Sequence, residues 1–326
     1  MRGQHPLDDV VVLDFSRVLA GPFATMLLAD HGATVLKVER PGQGDDTRAW
    51  GPPHDPRGVA TYFLAINRNK RSIALDLASP AGRDVARALA AEADVVVENF
   101  RPGVMDRLGL GPAELTAANP RLIYCSITGF GSGDGAALPG YDLLVQALGG
   151  LMSITGAPDG EPQKVGVALV DVLTGLFAAH AILTALRHRD RTGEGQRIEL
   201  SLLGCLLAAL VNQASGYTAG GVVPRRMGNA HPSIAPYELY ETGAGQLVLA
   251  VGNDRQFRAT CRVLGVEALA DDERFATNPA RVAHREELRR LLEERLATAP
   301  ASAWAPQLLD AGVPAGEVND VAGAFA

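Results

Sequence analysis

Cysteine is scarce in this chain: three residues in 326, Cys125, Cys205 and Cys261, with no paired spacing. That excludes a disulfide framework and a thiolate zinc site, and no metal is expected; a reducing, cytoplasmic location is. The first residues, MRGQHPLDD, contain no apolar core, so no secretory signal is expected. The longest uncharged apolar run, Val172 to Leu186, is short for a bilayer span. It reads instead as a helix buried in a soluble protein, apolar on nearly every face, with His180 as a satisfied core histidine. No membrane partner follows. Net charge is −7, which argues against general nucleic-acid binding and leaves room only for local basic clusters that meet a small polyanion. Repeats and low-complexity tracts are absent, and the first strand is not followed by GxGxxG, so the dinucleotide fingerprint is missing.

What is present is enough chain for two domains and a large core. Val10 to Phe15 is a β-branched apolar run, Gly21-Pro22 opens a helix that Gly32 closes, and Thr34 to Glu39 is a second strand. This is a βαβ unit. Pro80 to Ala93 (helix), Val95 to Val97 (strand) and Leu122 to Ile127 (strand) continue the alternation. The fold class expected is α/β: a Rossmann-like large domain built on a parallel sheet, followed by a smaller α+β domain. Residues 1–215 form the large domain, 216–230 a glycine-containing linker, and 231–326 the small domain, with a hairpin around Gly243-Ala244-Gly245 and three helical patterns. Arg187 to Gln196 reads as a turn and Leu202 to Gln213 as one apolar helix.

Ligands of such sheets sit at the carboxyl ends of strands, where Asn99 and the loop Gly129 to Gly133 fall. Asn67 to Ser72 (NRNKRS) concentrates three cations, either a solvated face or a phosphate clamp. Two carboxylates, Asp142 and Asp171, lie at the polar edges of strongly apolar helical segments. A carboxylate in such a place is capping a helix, paired, or kept for chemistry, because an unpaired buried charge costs several kcal/mol or raises its pKa.

The segments PLDDVVVLDFSRVLAGPFATMLLADHGATVLKVERPGQGDDTR, NRNKRSIALDL, ADVVVENFRPGVMDRLGLG, NPRLIYCSITGFG, PGYDLLVQALGGLMSITG and RTGEGQ, in this order, resemble the class III coenzyme A transferases of the CaiB/BaiF type. The group includes formyl-CoA transferase and carnitine CoA-transferase-like enzymes. The resemblance implies a nucleophilic aspartate at Asp171, in ALVDVLTG, with Asp142 of GYD as its auxiliary acid. It implies CoA contacts at Leu19, Ala20, Arg40, Leu75, Ala78, Asn99, Phe100, Arg107 and Tyr141. Arg40, Lys70, Arg71 and Arg107 suit the phosphates, while Leu19 and Phe100 suit adenine and the pantetheine arm. Gly228, Asn229 and His231 are expected near the acyl group, and Gly129 to Gly133 or Gly228-Asn229 as oxyanion donors.

The activity implied is transfer of CoA from an acyl-CoA to a free carboxylic acid through an aspartyl-CoA thioester, with succinyl-CoA and other dicarboxylic acids favoured over formyl-CoA. No permanent cofactor is needed, since CoA thioester is a substrate. An interlocked homodimer is the assembly implied. Racemases acting on α-methylacyl-CoA resemble the same N-terminal motifs but carry His where this chain has Tyr141, and a phenol with a pKa of about 10 is a poor base near neutrality. Family members continue for several tens of residues past the small domain, so a missing C-terminal return is expected, with an inactive acyl-CoA-binding paralogue as a further alternative.

Overall fold

The computed structural model describes residues 5–326 and divides into two compact units. The first comprises residues up to Ser153 together with Lys164–Pro224. Its elements run β1 (Val11–Asp14), α1 (Ala20–Asp30), β2 (Thr34–Glu39), α2 (Thr61–Asn67), β3 (Lys70–Ala74), α3 (Pro80–Glu92), β4 (Val95–Glu98), α4 (Val104–Arg107), α5 (Pro112–Ala118) and β5 (Ile123–Thr128). Then follow α6 (Asp142–Leu148), α7 (Leu151–Ile154), α8 (Leu169–Thr192), β6 (Arg197–Ser201), α9 (Leu202–Ala209) and α10 (Val211–Thr218).

The six strands form one parallel sheet in the order β3-β2-β1-β4-β5-β6. Runs such as VVV can be wholly apolar because both faces are covered. Val95 and Val97 point to a core shared with α1, α8 and α9, while Val96, one residue out of phase, points to a second core with Ala86, Met105 and Leu115 from α3, α4 and α5. The strand order reverses between β1 and β4. Loops leaving their carboxyl ends diverge there and open a crevice.

Helix α8 lies against α1, and at Gly175 an added Cβ would sit 2.7 Å from Ala20 O, so only glycine permits that approach. Three expectations change on this side of the molecule. The helix does not stop at Arg187. It runs to Thr192 and ends at Gly193, whose left-handed φ of 81° closes it. Arg189 in its last turn is buried and paired with Asp94 at 2.8 Å, while cations near a helix C-terminus also meet the dipole favourably.

Nor is α8 buried all round. Leu176, Phe177 and Leu183 are exposed, and so is His180, which is therefore not a core histidine. The helix meets the length and hydropathy of a membrane span, with a mean hydropathy of 1.9, yet Ala178, Ile182 and Ala185 are locked in the core. Finally, the apolar segment from Leu202 breaks at Val211, whose φ is 39°, into α9 and α10.

The second unit comprises Ile154–Gln163 and Arg225–Ala326. Its antiparallel sheet, β7 (Tyr237–Glu241), β8 (Gln246–Ala250) and β9 (Ala315–Glu317), packs with α11 (Asp254–Leu264), α12 (Asn278–Ala283), α13 (Arg285–Leu296) and α14 (Ala301–Asp310) around Leu247, Phe257, Leu292 and Leu308; a last short helix, α15, spans Val321–Ala324. The hairpin falls as expected. Strand β9 and the break between α12 and α13 are additions, as is fully buried Arg281, which donates to Ala235 O and Phe275 O and pairs with Asp254. The linear division also shifts, because residues 154–163 group with the second unit. The backbone bond from Gly228 N to Gly156 O, 3.0 Å, ties that loop to the chain past Arg225, while Gln163 N to Thr155 O, also 3.0 Å, closes the loop on itself. Residues 216–224, expected as linker, belong with the first unit.

Candidate active site

The N-terminus of α8 has no capping side chain of its own, since its N-cap is Ala168. Asp142, the first residue of α6, does the capping from 29 residues upstream of Asp171 (171 − 142). Its Oδ1 accepts Val170 N at 2.8 Å and Asp171 N at 3.2 Å, and its Oδ2 accepts Gln146 Nε2 at 2.5 Å. Gln146 Oε1 in turn accepts Val165 N at 2.9 Å. One of the two carboxylates singled out in the sequence is therefore a helix cap, satisfying donors that the first turn leaves unpaired.

The other is not. Asp171 sits in the first turn of α8, half-buried, and among the described residues no donor bonds its carboxylate. Burial first, and the neighbouring Asp142 charge second, push its pKa up to about 7. The helix dipole works in the opposite direction but is worth only about 0.3–1 kcal/mol, less than the desolvation.

Two cavities border this carboxylate, and another adjoins the first of them. The first, of about 290 Å³, lies at the carboxyl ends of β1, β4 and β5 and is lined by Leu19, Ala20, Asn99, Phe100, Tyr141 and Asp171. A second, of about 230 Å³, is lined by Arg40, Leu75, Ala78 and Phe100, with Phe15 and Leu108 adding apolar wall. Arg17 and Phe100 border both, the guanidinium standing 4.9 Å over the ring. Every CoA contact implied by the resemblance thus lines one of two adjoining cavities, except Arg107, which is exposed on α4 and lines neither.

The third cavity, of about 620 Å³, is mostly apolar and reaches Asp171 from the other side, past Trp50, Tyr62, Tyr141, Lys164 and Val167. Trp50 and Tyr62 meet edge-on at 5.3 Å. Burial and the charges of Asp171 and Asp142 push the Tyr62 phenol up to about 12, so it stays a hydrogen-bond donor at neutral pH. Sequence reading missed all three of Trp50, Tyr62 and Lys164. They come from loop and helix positions without periodicity, and only the fold assembles them.

The basic run resolves into separate roles. Lys70 is not a phosphate ligand: its Nζ is buried and donates to Asp14 Oδ2 (3.2 Å), Pro22 O (2.8 Å) and Asn67 Oδ1 (3.0 Å). Burial pushes this amine down to about 8. Beside it, buried Lys37 pairs with Asp45 at 2.9 Å and donates to Ser16 O. Arg68 pairs with Asp30, and Arg71 lines a different cavity with Asn69 and Thr34, where β2 begins. Of the expected phosphate partners only Arg40 borders the cavities, held by Asp46 at 2.7 Å.

The loop after β1 is shaped by these groups. Asn99 Oδ1 accepts Arg17 N at 2.8 Å and its Nδ2 donates to Arg17 O at 2.7 Å, a two-point clamp on backbone. The next residue, Val18, has φ 68°, a conformation that costs a β-branched side chain about 1–3 kcal/mol. Its side chain borders both the first and third cavities. Asn99→Ala is expected to release that strain into loop motion: a thermal-melt loss of about 1–2 kcal/mol together with a severalfold rise in KM for acyl-CoA. An unchanged KM would assign Asn99 to folding alone.

One further expectation is corrected. Gly131 N–H is taken by Thr128 Oγ1 at 3.0 Å, which removes it from the pool of oxyanion donors. Gly228, Asn229 and His231 belong to the second unit. There His231 makes a local turn: its Nδ1 accepts Ser233 N, its carbonyl accepts Arg285 Nη1 at 3.0 Å, and its ring meets Tyr237 at 5.4 Å. Gly228 takes φ 60° to bond Gly156 O, and Asn229 is exposed.

Comparison with known proteins is consistent with this geometry. Residues 7–326 match the family described as CoA-transferase family III. Succinate–glutarate CoA-transferase of Agrobacterium fabrum is 49% identical over 332 residues, 98% of this chain and 82% of that protein. Human succinyl-CoA:glutarate CoA-transferase is 44% identical over 100% of this chain and 74% of its own length. Among solved structures, a CAIB/BAIF family protein from Brucella suis superposes with a TM-score of 0.87 at 51% identity, covering 99% of this chain and 86% of that one. Rv3272 from Mycobacterium tuberculosis gives 0.89 at 34% identity over 98% and 86%. With the fold, the ordered motifs and these relatives in agreement, the chain belongs to CoA-transferase family III, and it is a CoA-transferase.

Proposed function

We propose that this CoA-transferase exchanges CoA between succinyl-CoA, or a similar dicarboxylic acyl-CoA, and a free dicarboxylate, with Asp171 as the covalent carrier. The observation that carries the reading is the position of Asp171: a half-buried carboxylate, free of hydrogen bonds from described residues, bordered on one side by the cavity at the strand ends and on the other by a separate apolar cavity. The succinyl, glutaryl pairing follows the relatives named for those acids.

Chemically, an Asp171 oxygen attacks the thioester carbonyl, the C–S bond breaks, and a mixed anhydride forms with CoA leaving as thiolate. The thiolate then attacks the Asp171 carbonyl, releasing the donor acid and leaving an aspartyl-CoA thioester. An acceptor carboxylate reverses both steps. Each stage trades one activated acyl bond for another, so splitting the transfer keeps every barrier low. Adenine fits the apolar wall of Leu75, Phe100 and Leu108, and Arg17 and Arg40 stand where phosphates would pass. A racemase reading lacks its base, since Tyr141 stands in its place.

Incubation with succinyl-CoA followed by hydroxylamine or borohydride should place a mass change on the peptide carrying Asp171. Turnover with no adduct there, across several donors, would move the covalent step elsewhere.

The assembly we propose is a homodimer. Leu176, Phe177, Leu207, Val211 and Tyr217 on α8, α9 and α10 are all exposed, large apolar side chains of the kind that a second copy would cover. A cytoplasmic setting is proposed as well; the three buried, free thiols support it. Sedimentation at graded concentration checks the dimer, and a monomer at all of them rules it out.

A further inference from the structure

The third cavity has chemistry that thioester exchange alone does not require. Its walls are Phe23, Trp50, Tyr62, Ile66, Leu143 and Val167, with far more apolar than polar surface. Two carboxylates border it, Asp171 and Asp142, and the second is already engaged by three donors. Among the described lining residues a single Lys or Arg side chain is present, Lys164. Its Nζ has one partner, the carbonyl of the adjacent Val165 at 3.3 Å, and no ion pair ties it down.

We propose that Lys164 binds the distal carboxylate of a dicarboxylic acyl group whose reacting end lies at Asp171, and so sets the preference for dicarboxylic over monocarboxylic acids. This rests on the covalent role given above to Asp171 and adds the group that reads the far end of the chain. The physical case is one of exclusion. A second carboxylate entering an apolar cavity beside two acidic side chains is opposed by desolvation and by like charge. An ammonium with spare donors offsets both, and its flexible four-carbon stem lets it follow acids of slightly different length. A monocarboxylic acid gains nothing from it.

The test is the ratio of kcat/KM for glutarate to that for butyrate, each as acceptor with succinyl-CoA as donor. Lys164→Gln should lower the ratio about tenfold, the scale of one charge-assisted hydrogen bond at a partly exposed site. Lys164→Glu should lower it further, and Lys164→Arg should restore most of it. Because a ratio is read within one protein preparation, partial loss of folded enzyme cancels. A wild type that prefers dicarboxylates, with the preference unmoved in Lys164→Gln and Lys164→Glu, overturns the role of Lys164 and leaves the proposed function standing. A wild type that prefers butyrate overturns both.

Discussion

Asp171→Asn should lose transferase turnover by about 10⁴-fold or more, the scale expected when a covalent nucleophile is removed, while binding of free CoA changes little. The same substitution should make the protein more stable at pH 8. The sign follows from the pKa of about 7 in the folded chain, against 3.8 for an ordinary aspartate. A folded-state value above the unfolded one means the native protein holds this proton more tightly. The destabilisation is therefore absent below about pH 4, grows between pH 4 and 7, and is fully present above 7. Three pKa units correspond to a ceiling of about 4 kcal/mol. Since Asn stays polar in the same pocket, a gain of about 1–3 kcal/mol at pH 8, vanishing near pH 4, is the expected melt result. In the wild type, kcat/KM should fall on the acid side with an apparent pKa near 7, because only the ionised carboxylate attacks. Turnover above about 1% of wild type in Asp171→Asn would take the nucleophile's role away from Asp171, and equal melting temperatures at pH 8 would take away the raised pKa.

Asp14→Ala should be the most damaging change away from the reacting atoms. Asp14 is fully buried at the end of β1, where it accepts Ser16 N, Ser16 Oγ and Thr25 Oγ1 and pairs with Lys70. Its carboxyl is held below the usual range against strong burial, by Lys70 and Lys37 above all. Removing one member of a buried pair leaves the other uncompensated, at a cost of about 3–5 kcal/mol. Lys70, already down at about 8, is then easier still to deprotonate, so the loss should shrink between pH 7 and 9. Urea unfolding at the two pH values checks this. A loss below about 1 kcal/mol at pH 7 would mean that the Asp14–Lys70 pair contributes little.

Much of the parallel sheet was legible in advance, for a definite reason. Strands β1, β4 and β5 are covered on both faces, so stretches such as VVL, VVV and IYC are apolar without alternation and stand out between helices. Asp171 was legible as an isolated charge in an apolar helix, and the ordered motifs gave it a role. What escaped depends on contacts far apart in sequence. Lys70 looked like a phosphate clamp because its neighbours Arg68 and Arg71 do reach solvent, whereas its own side chain closes onto Asp14, 56 residues away. His180 looked buried because a uniformly apolar helix gives no hint of which face stays open. Trp50, Tyr62 and Lys164 each stand in unremarkable local sequence. Their cavity exists only once α2 and the loop before α8 are brought beside α1.

The cap on α8 has a mechanical meaning. In most helices an aspartate in the first turn folds back onto the free amides below it and is fixed there. Here the amides of Val170 and Asp171 are already occupied by Asp142. The Asp171 side chain is left to rotate about its own bonds with no tether to break. One carboxylate works as the bearing that holds the helix end, and the other is left as a free arm between the first and third cavities.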